Sequence, residues 1–303
     1  MGGGIIMKLQ VFNDLPREEY LFCGHTACPG CAATLSVRYL TKALGKKTVF
    51  VITASCFSII AGQPPLRTLD LNVYHCPFPS SAAVGSGLKR GLTAAGDDQT
   101  QVLVLAGDGG TFDIGLQGLS AAAERNEDII FVCYDNEAYM NTGMQRSSAS
   151  PYGSQSNTTP APLAKPTPKK DIMSIIAAHA IPYAATATVA YPRDLLAKFS
   201  KAGTIKGFRF FHLLSPCPPG WGIESDETIE LSRLAVETGV FPLYELEDGE
   251  FVTLSHKPEK LLPVADYLRP QRRFSTLTAA DHEKIQNSVE HGWKKLLARA
   301  GNR

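Results

Sequence analysis

The 303-residue chain sets 30 Lys and Arg against 29 Asp and Glu, with 44% hydrophobic residues. That balance excludes a strongly basic nucleic-acid binder and a highly charged disordered chain, and the length suits one large α/β domain or two small ones. No apolar run approaches the ~18 residues of a membrane span, and Met1-Gly2-Gly3-Gly4-Ile5-Ile6-Met7-Lys8 lacks the charged start and long apolar core of a signal peptide, so neither nucleic acid nor a membrane is expected as a partner.

In chain order, Cys28-Pro29-Gly30-Cys31 comes first, a C-x-x-C loop that zinc, iron–sulfur and redox sites all use. The redox use requires a thioredoxin-like βαβ context directly around it, which is missing. Thr48–Thr53 reads as a buried strand ending at Ala54-Ser55-Cys56. Ser80 to Gly96 reads as a small-residue helix in which Gly85, Gly87 and Gly91 permit close packing. Val102–Ala106 is a second buried strand, which turns on Gly107-Asp108-Gly109-Gly110. A helical stripe of Phe112, Leu116, Leu119 and Ala123 links it to a third strand, Ile129–Tyr134, running into Asp135-Asn136. A right-handed βαβ crossover joins parallel strands in this way.

Ser147 to Lys170 is rich in Ser, Thr, Asn, Pro and Gly, with too many prolines for a helix or central strand. A loop this long in a compact domain is functional or disordered. Phe208–Leu214 is a further buried strand, ending at Ser215-Pro216-Cys217. After Glu224 a helix containing Ile229 and Leu234 stops at Gly239. The remainder is charged and interrupted by proline. It closes with an amphipathic helix carrying Ile285, Val289, Trp293 and Leu296, read as a C-terminal arm against a neighbouring subunit or, equally, against its own domain.

Four strands therefore end in polar or cysteine residues, and in a parallel sheet those ends share the ligand-binding edge. Gly-Asp-Gly alone is usually a tight turn; a second strand ending in Asp-Asn one helix later reverses that. Asp108 and Asn136, framed by glycines, suit a hard cation such as Mg²⁺ carrying a diphosphate. The seven cysteines, Cys23, Cys28, Cys31, Cys56, Cys76, Cys133 and Cys217, are an odd number without a secretion signal. That disfavours a disulfide framework and points to a reducing, cytoplasmic setting, where clustered cysteines serve metals or catalysis. Cys28, Cys31, Cys56 and Cys217 brought to one edge would make a Cys₄ site; the ligand count leaves zinc and a [4Fe–4S] cluster equally open. Cys133 is a core residue; Cys23 and Cys76 are core residues or substitute ligands.

The combination Gly24-His25-Thr26-Ala27-Cys28-Pro29-Gly30-Cys31, Cys56, Ala106-Gly107-Asp108-Gly109-Gly110, Tyr134 through Gly143 and Ser215-Pro216-Cys217-Pro218 resembles the β subunit of 2-oxoacid:ferredoxin oxidoreductases. It is most similar to the pyruvate branch. The run Asp135 to Ser148 is the most specific part, and the resemblance covers roughly residues 20 to 245.

The resemblance implies a thiamine-diphosphate-binding α/β fold, a mostly parallel sheet flanked by helices. Residues 1–245 would form the thiamine diphosphate and iron–sulfur domain and 246–303 the C-terminal arm. It implies Mg²⁺ on Asp108, on the side chain of Asn136 and on the backbone carbonyl of Ala138, with Gly107, Gly109 and Gly110 admitting the diphosphate. It implies a [4Fe–4S] cluster on Cys28, Cys31, Cys56 and Cys217, with Asn141 facing the thiazolium and the 2-oxoacid and Phe78 packing near the cofactor ring. The activity implied is oxidative decarboxylation of a 2-oxoacid, with one-electron transfer through the cluster to ferredoxin and coenzyme A taking the acyl group. Partner subunits would supply the Glu on the aminopyrimidine and the ferredoxin-like clusters.

Many relatives follow C-x-x-C with Gly-Glu, where this chain has Ala32-Ala33. Pyruvate is the first expectation. An oxalate-specific member releasing CO₂ without coenzyme A is the second, since removing an anion lowers repulsion with a more negative substrate. Two other classes stand beside these: a thiamine-dependent decarboxylase without a cluster, and a zinc-stabilised α/β binding module.

Overall fold

The computed structural model describes residues 17–63 and 65–301, so the reading of Met1–Lys8 lies outside it. One eight-stranded sheet organises the chain. Its strands are β1 (Thr48–Thr53), β2 (Asn72–Cys76), β3 (Gln101–Gly107), β4 (Ile130–Asp135), β5 (Tyr183–Thr188), β6 (Arg209–Leu214), β7 (Tyr244–Glu247) and β8 (Phe251–Leu254), in the order β2-β1-β3-β4-β6-β5-β7-β8. The first six strands pair in parallel, and β7 and β8 close one side as antiparallel strands.

The central strands are apolar at nearly every position because both faces of the sheet are covered. Leu103 and Leu105 of β3 enter one core, with Val37 and Leu40 of α1 (Ala32–Leu44) and Phe199 of α6 (Pro192–Thr204). Val102, Val104 and Ala106 enter the opposite core, with Ala82 of α3 (Ser81–Ala94) and Leu119 of α4 (Leu116–Glu124). Cys133 is buried in that second core, as expected.

Three expectations change on the structure. A Cβ at Gly85 would stand 2.5 Å from Val104 Cγ2, so this glycine does permit helix-on-sheet packing, whereas Gly87 and Gly91 face open space. The segment after Gly110 is a π turn, Gly109–Asp113, followed by α4, rather than one helix. Strand β7 crosses position 246, so the arm begins inside the sheet. Its last helix, α10 (Ala279–Ala300), lays Ile285 and Val289 against one core cluster of this same chain and Trp293 and Leu296 against another. No helix among the described residues is long and apolar enough to cross a membrane.

Candidate functional site

β1 has β2 on one side and β3 on the other, so successive crossovers depart from it in opposite directions. A crevice opens at the carboxyl ends of strands at such a switch point. Here it is lined by Ser55 and Cys56 after β1, Gly107 to Gly110 after β3, and Asn136 and Ala138 after β4, with Phe78 and Asn141 from flanking turns. Cys56, Phe78, Asp108, Asn136, Ala138 and Asn141 thus line one pocket, whereas Cys28, Cys31 and Cys217 are not among its lining residues.

Asp108 is buried at the start of the π turn, an element that recurs at functional sites. Gly109 is demanded by contact: a Cβ there would lie 2.1 Å from the Tyr139 ring. That ring is fixed, its hydroxyl donating to Asp113 Oδ2 at 3.1 Å and its edge meeting Phe78 at 6.0 Å between centroids.

The turn after β4 has nearly all its acceptors claimed. Glu137 N donates to Asp135 Oδ1 at 2.9 Å, Trp221 Nε1 to the Asn136 carbonyl at 2.8 Å, and Ser150 Oγ to the Glu137 carbonyl at 2.6 Å. Three groups remain: Asp108 Oδ1, the Asn136 amide and the Ala138 carbonyl. The amide end of Asn136 lies 2.9 Å from each of the other two. Turned nitrogen-first, it donates to both. Turned oxygen-first, it makes three acceptors face one another, an arrangement that requires a cation between them. Adjacent oxygens in an octahedral shell with Mg–O bonds of about 2.0–2.1 Å lie about 2.9 Å apart, which matches both separations from the Asn136 amide.

The electrostatics agree with that fit. Burial first, and then the neighbouring Asp135 carboxylate, push the Asp108 carboxyl well above its usual range, while Ser147 and Lys169 pull the other way. A cation at Asp108 would favour its charged form. Ser147 Oγ donates to Asp108 Oδ2 from the Pro-rich loop. That loop is packed: Lys165 Nζ donates to the carbonyls of Ser148, Ser150 and Pro168 at 3.2, 2.5 and 3.1 Å.

Behind the turn the charges are paired. Lys169 Nζ meets both Asp135 and, at 2.8 Å, Glu137, and His212 Nε2 lies 2.7 Å from Asp135. Burial opposes the charge on Asp135, but Lys169 and His212 together outweigh it and hold the carboxyl at about 2. Arg273 lies 2.6 Å from Glu137 and stacks on Trp221, its guanidinium carbon 3.8 Å from the ring centroid.

Cys28, Cys31, Cys56 and Cys217 come from three separate places. Thr228 Oγ1 donates to the Gly30 carbonyl at 2.7 Å, which ties the C-x-x-C loop to the segment beyond Cys217. Gly30 has φ +74° and leaves no room for a Cβ, which would sit 2.3 Å from the Ser225 carbonyl. The Cys56 thiol is pushed up to about 11, by burial first and then by Cys31 and Cys28. Burial pushes Cys217 up to about 12, with Cys31, Cys56 and Cys28 adding to it. The four thiols thus share one neighbourhood. Among the described residues no three His, Cys, Asp or Glu side chains close on a single-ion position. A zinc tetrahedron, with Zn–S near 2.3 Å, would hold its sulfurs roughly 3.8 Å apart. Cys23 is exposed and Cys76 is buried at the end of β2.

Residues 53–213 match the family described as thiamine pyrophosphate enzyme, C-terminal TPP binding domain. Over 285 residues the chain is 47% identical to pyruvate synthase subunit PorB of Methanothermobacter marburgensis, covering 93% of this chain and 99% of that one. Over 291 residues it is 46% identical to ketoisovalerate oxidoreductase subunit VorB of Pyrococcus horikoshii, covering 93% and 94%. The chain belongs to the β subunits of the 2-oxoacid:ferredoxin oxidoreductases. The fold of this β subunit is shared with a 2-oxoglutarate:ferredoxin oxidoreductase from Magnetococcus marinus at a TM-score of 0.58 and 21% identity, over 90% of this chain and 96% of that one.

Sequence reasoning gave no role to several groups that shape the β-subunit site. Glu137 and Ser147 lie in the most specific run, which was their only signal. Lys169, Trp221 and Arg273 are scattered through the chain, and no local pattern announces their pairing.

Proposed function

We propose that this β subunit holds thiamine diphosphate through Mg²⁺ on Asp108, Asn136 and Ala138, beside a [4Fe–4S] cluster on Cys28, Cys31, Cys56 and Cys217. The assembled enzyme oxidatively decarboxylates a small monocarboxylic 2-oxoacid, pyruvate first. The observation that carries this reading is the Asn136 amide 2.9 Å from both Asp108 Oδ1 and the Ala138 carbonyl, with the rest of the turn's acceptors already claimed.

When bound, thiamine diphosphate supplies the carbon nucleophile for decarboxylation, and a cluster beside it accepts electrons one at a time towards ferredoxin. The chain's own residues prepare the place. Gly107, Gly109 and Gly110 bring backbone to the crevice where the diphosphate would lie, Asn141 lines that crevice, and Phe78 with Tyr139 gives an aromatic wall. Cys56 lines the crevice and also neighbours the other three thiols, so it spans the cofactor pocket and the cluster. The described lining residues include a single carboxylate, Asp108, which is committed to the cation. The Glu that thiamine chemistry requires on the aminopyrimidine therefore comes from another subunit. Coenzyme A takes the acyl group, and the setting is the cytoplasm.

The described lining residues include no Lys, Arg or His. A second carboxylate, as in oxalate or 2-oxoglutarate, would find no counter-charge among those residues, whereas pyruvate and a branched aliphatic oxoacid need none. Ala33 is buried with Val37 and Phe57, so the position that carries Glu in relatives is here part of the core. The near-equal identity to the PorB and VorB relatives makes the branched oxoacid the second reading.

The test is dye reduction by the anaerobically purified complex with pyruvate, 3-methyl-2-oxobutanoate, oxalate and 2-oxoglutarate, with and without coenzyme A. Turnover of the first two only, with about four irons per β chain beyond those the partner subunits carry by themselves, is the expected result. Oxalate as the best substrate, or one zinc per chain in place of iron, overturns it.

A further inference from the structure

We infer that the ion-paired triad Lys169–Glu137–Arg273 is the positioning device of the cation site, through which the Pro-rich loop and the C-terminal segment jointly set cofactor retention. The triad's role rests on the cation reading of Asp108, Asn136 and Ala138.

Glu137 stands between two of those three groups and holds a left-handed backbone, φ 69°, which a residue with a Cβ rarely adopts. Its backbone there separates the side chain of Asn136 from the carbonyl of Ala138 by one turn, and both come to Asp108. The Glu137 side chain is consequently buried on the opposite side, where a lone carboxylate would be unstable. Lys169 at 2.8 Å and Arg273 at 2.6 Å meet it there. Arg273 is packed on Trp221, and the Trp221 indole N–H holds the Asn136 carbonyl. One guanidinium–indole unit therefore anchors both Asn136 and Glu137.

Neither cation belongs to the β3–β4 unit. Lys169 ends the Pro-rich loop and Arg273 lies just before α10. The two segments are bound to each other: Gln155 N donates to the Arg273 carbonyl at 2.8 Å, Tyr152 Oη donates to Asp281 at 2.7 Å, and Gly153 leaves space for Leu277. The charge pattern is directional. Lys169 and Arg273 face Asp135 and Glu137 at the back, while Asp108, whose Oδ2 accepts from Ser147, has no cation paired to it among the described residues and presents Oδ1 to the front.

The experiment titrates Mg²⁺ and, separately, Ca²⁺ into the metal-stripped complex at saturating thiamine diphosphate, reading retained thiamine, and measures the thermal midpoint of the stripped form. Mg²⁺ demands a near-ideal octahedron and Ca²⁺ tolerates irregular shells. Arg273→Met and Glu137→Gly are expected to raise the Mg²⁺ half-saturation by about tenfold or more, as loss of groups that orient metal ligands does, with a clearly smaller shift for Ca²⁺. Arg273→Lys, which keeps the charge without the planar fork, falls between these and wild type. Should Arg273→Met fail to assemble, Arg273→Lys and Glu137→Gln carry the same comparison.

Equal shifts for the two metals, or a lowered thermal midpoint with unchanged Mg²⁺ half-saturation, overturn the inference. So does wild-type Mg²⁺ binding in Glu137→Gly, since glycine relieves the backbone and removes only the ion pairs. A wild-type complex that retained thiamine diphosphate without any divalent ion would overturn the cation reading itself.

Discussion

The turn after β4 has two sides built on opposite rules. In front, Asp108 Oδ1 and the Ala138 carbonyl both turn to the one Asn136 amide, which donates to them nitrogen-first and makes a third acceptor oxygen-first. Behind, Asp135 and Glu137 are ion-paired with Lys169, His212 and Arg273. Both sides are buried, so the difference is not solvent. Buried polar groups are normally satisfied within the protein. The side whose pairing hangs on one amide is the one proposed for the ligand, and the ion-paired side is the one proposed to position it.

Asp108→Ala strikes the front alone and has the largest expected effect. Mg²⁺-dependent retention of thiamine diphosphate disappears while the absorption of the iron–sulfur cluster stays intact; cofactor bound at wild-type affinity would show that the ligands are misassigned. Cys56→Ser comes next, lowering the iron content of anaerobically purified protein without removing thiamine diphosphate. Unchanged iron would move the fourth ligand to Cys23 or Cys76.

Gly109→Ala is a smaller blow, delivered through packing. The new methyl meets a Tyr139 ring held by Phe78 and Asp113, and overpacking of this kind destabilises by about 1–3 kcal/mol. Urea unfolding of the complex measures it, and a loss near zero would mean that the ring swings aside. The smallest effect lies at the support behind the turn. Hydrogen bonds from Thr278, then from Tyr152, lower the Asp281 carboxyl from 3.8 to about 2. Its contribution is therefore complete above pH about 4 and lost as pH falls through about 2. Hydrogen exchange in residues 147–170 and in α10 is expected to accelerate across that window in wild type, and Asp281→Asn removes the step.

The front of the site was legible because its parts are local. β1, β3, β4 and β6 are near-continuous apolar runs, as strands covered on both faces must be, and each hands its next residues to the same edge. β2 was missed because Asn72, Tyr74 and His75 of this edge strand are exposed and show no apolar run. β5 was missed because Tyr183-Ala-Ala-Thr-Ala-Thr188 fills its buried place with small residues and threonines. The C-terminal arm was read as a separate piece because charge and proline dominate its sequence. In the fold, those polar residues include Arg273 and Asp281, which face inward to the loop and the turn. A lysine or arginine in a polar stretch looks like a solvated side chain until its partner is placed beside it.

The hydrogen bond from Thr228 to Gly30 joins residues 198 positions apart, and that from Tyr152 to Asp281 spans 129. Such distant closures form late in folding, because the entropy of closing large loops precedes their reward. The β3–β4 unit can assemble from neighbours in the chain, but the thiol cluster and the back of the turn cannot. A nascent chain ending before residue 273 would possess the Gly-Asp-Gly turn and Lys169 but lack Arg273, and with it one of the two cations on Glu137. The sequence separation of the contacts thus sets which parts of the site wait for the whole chain.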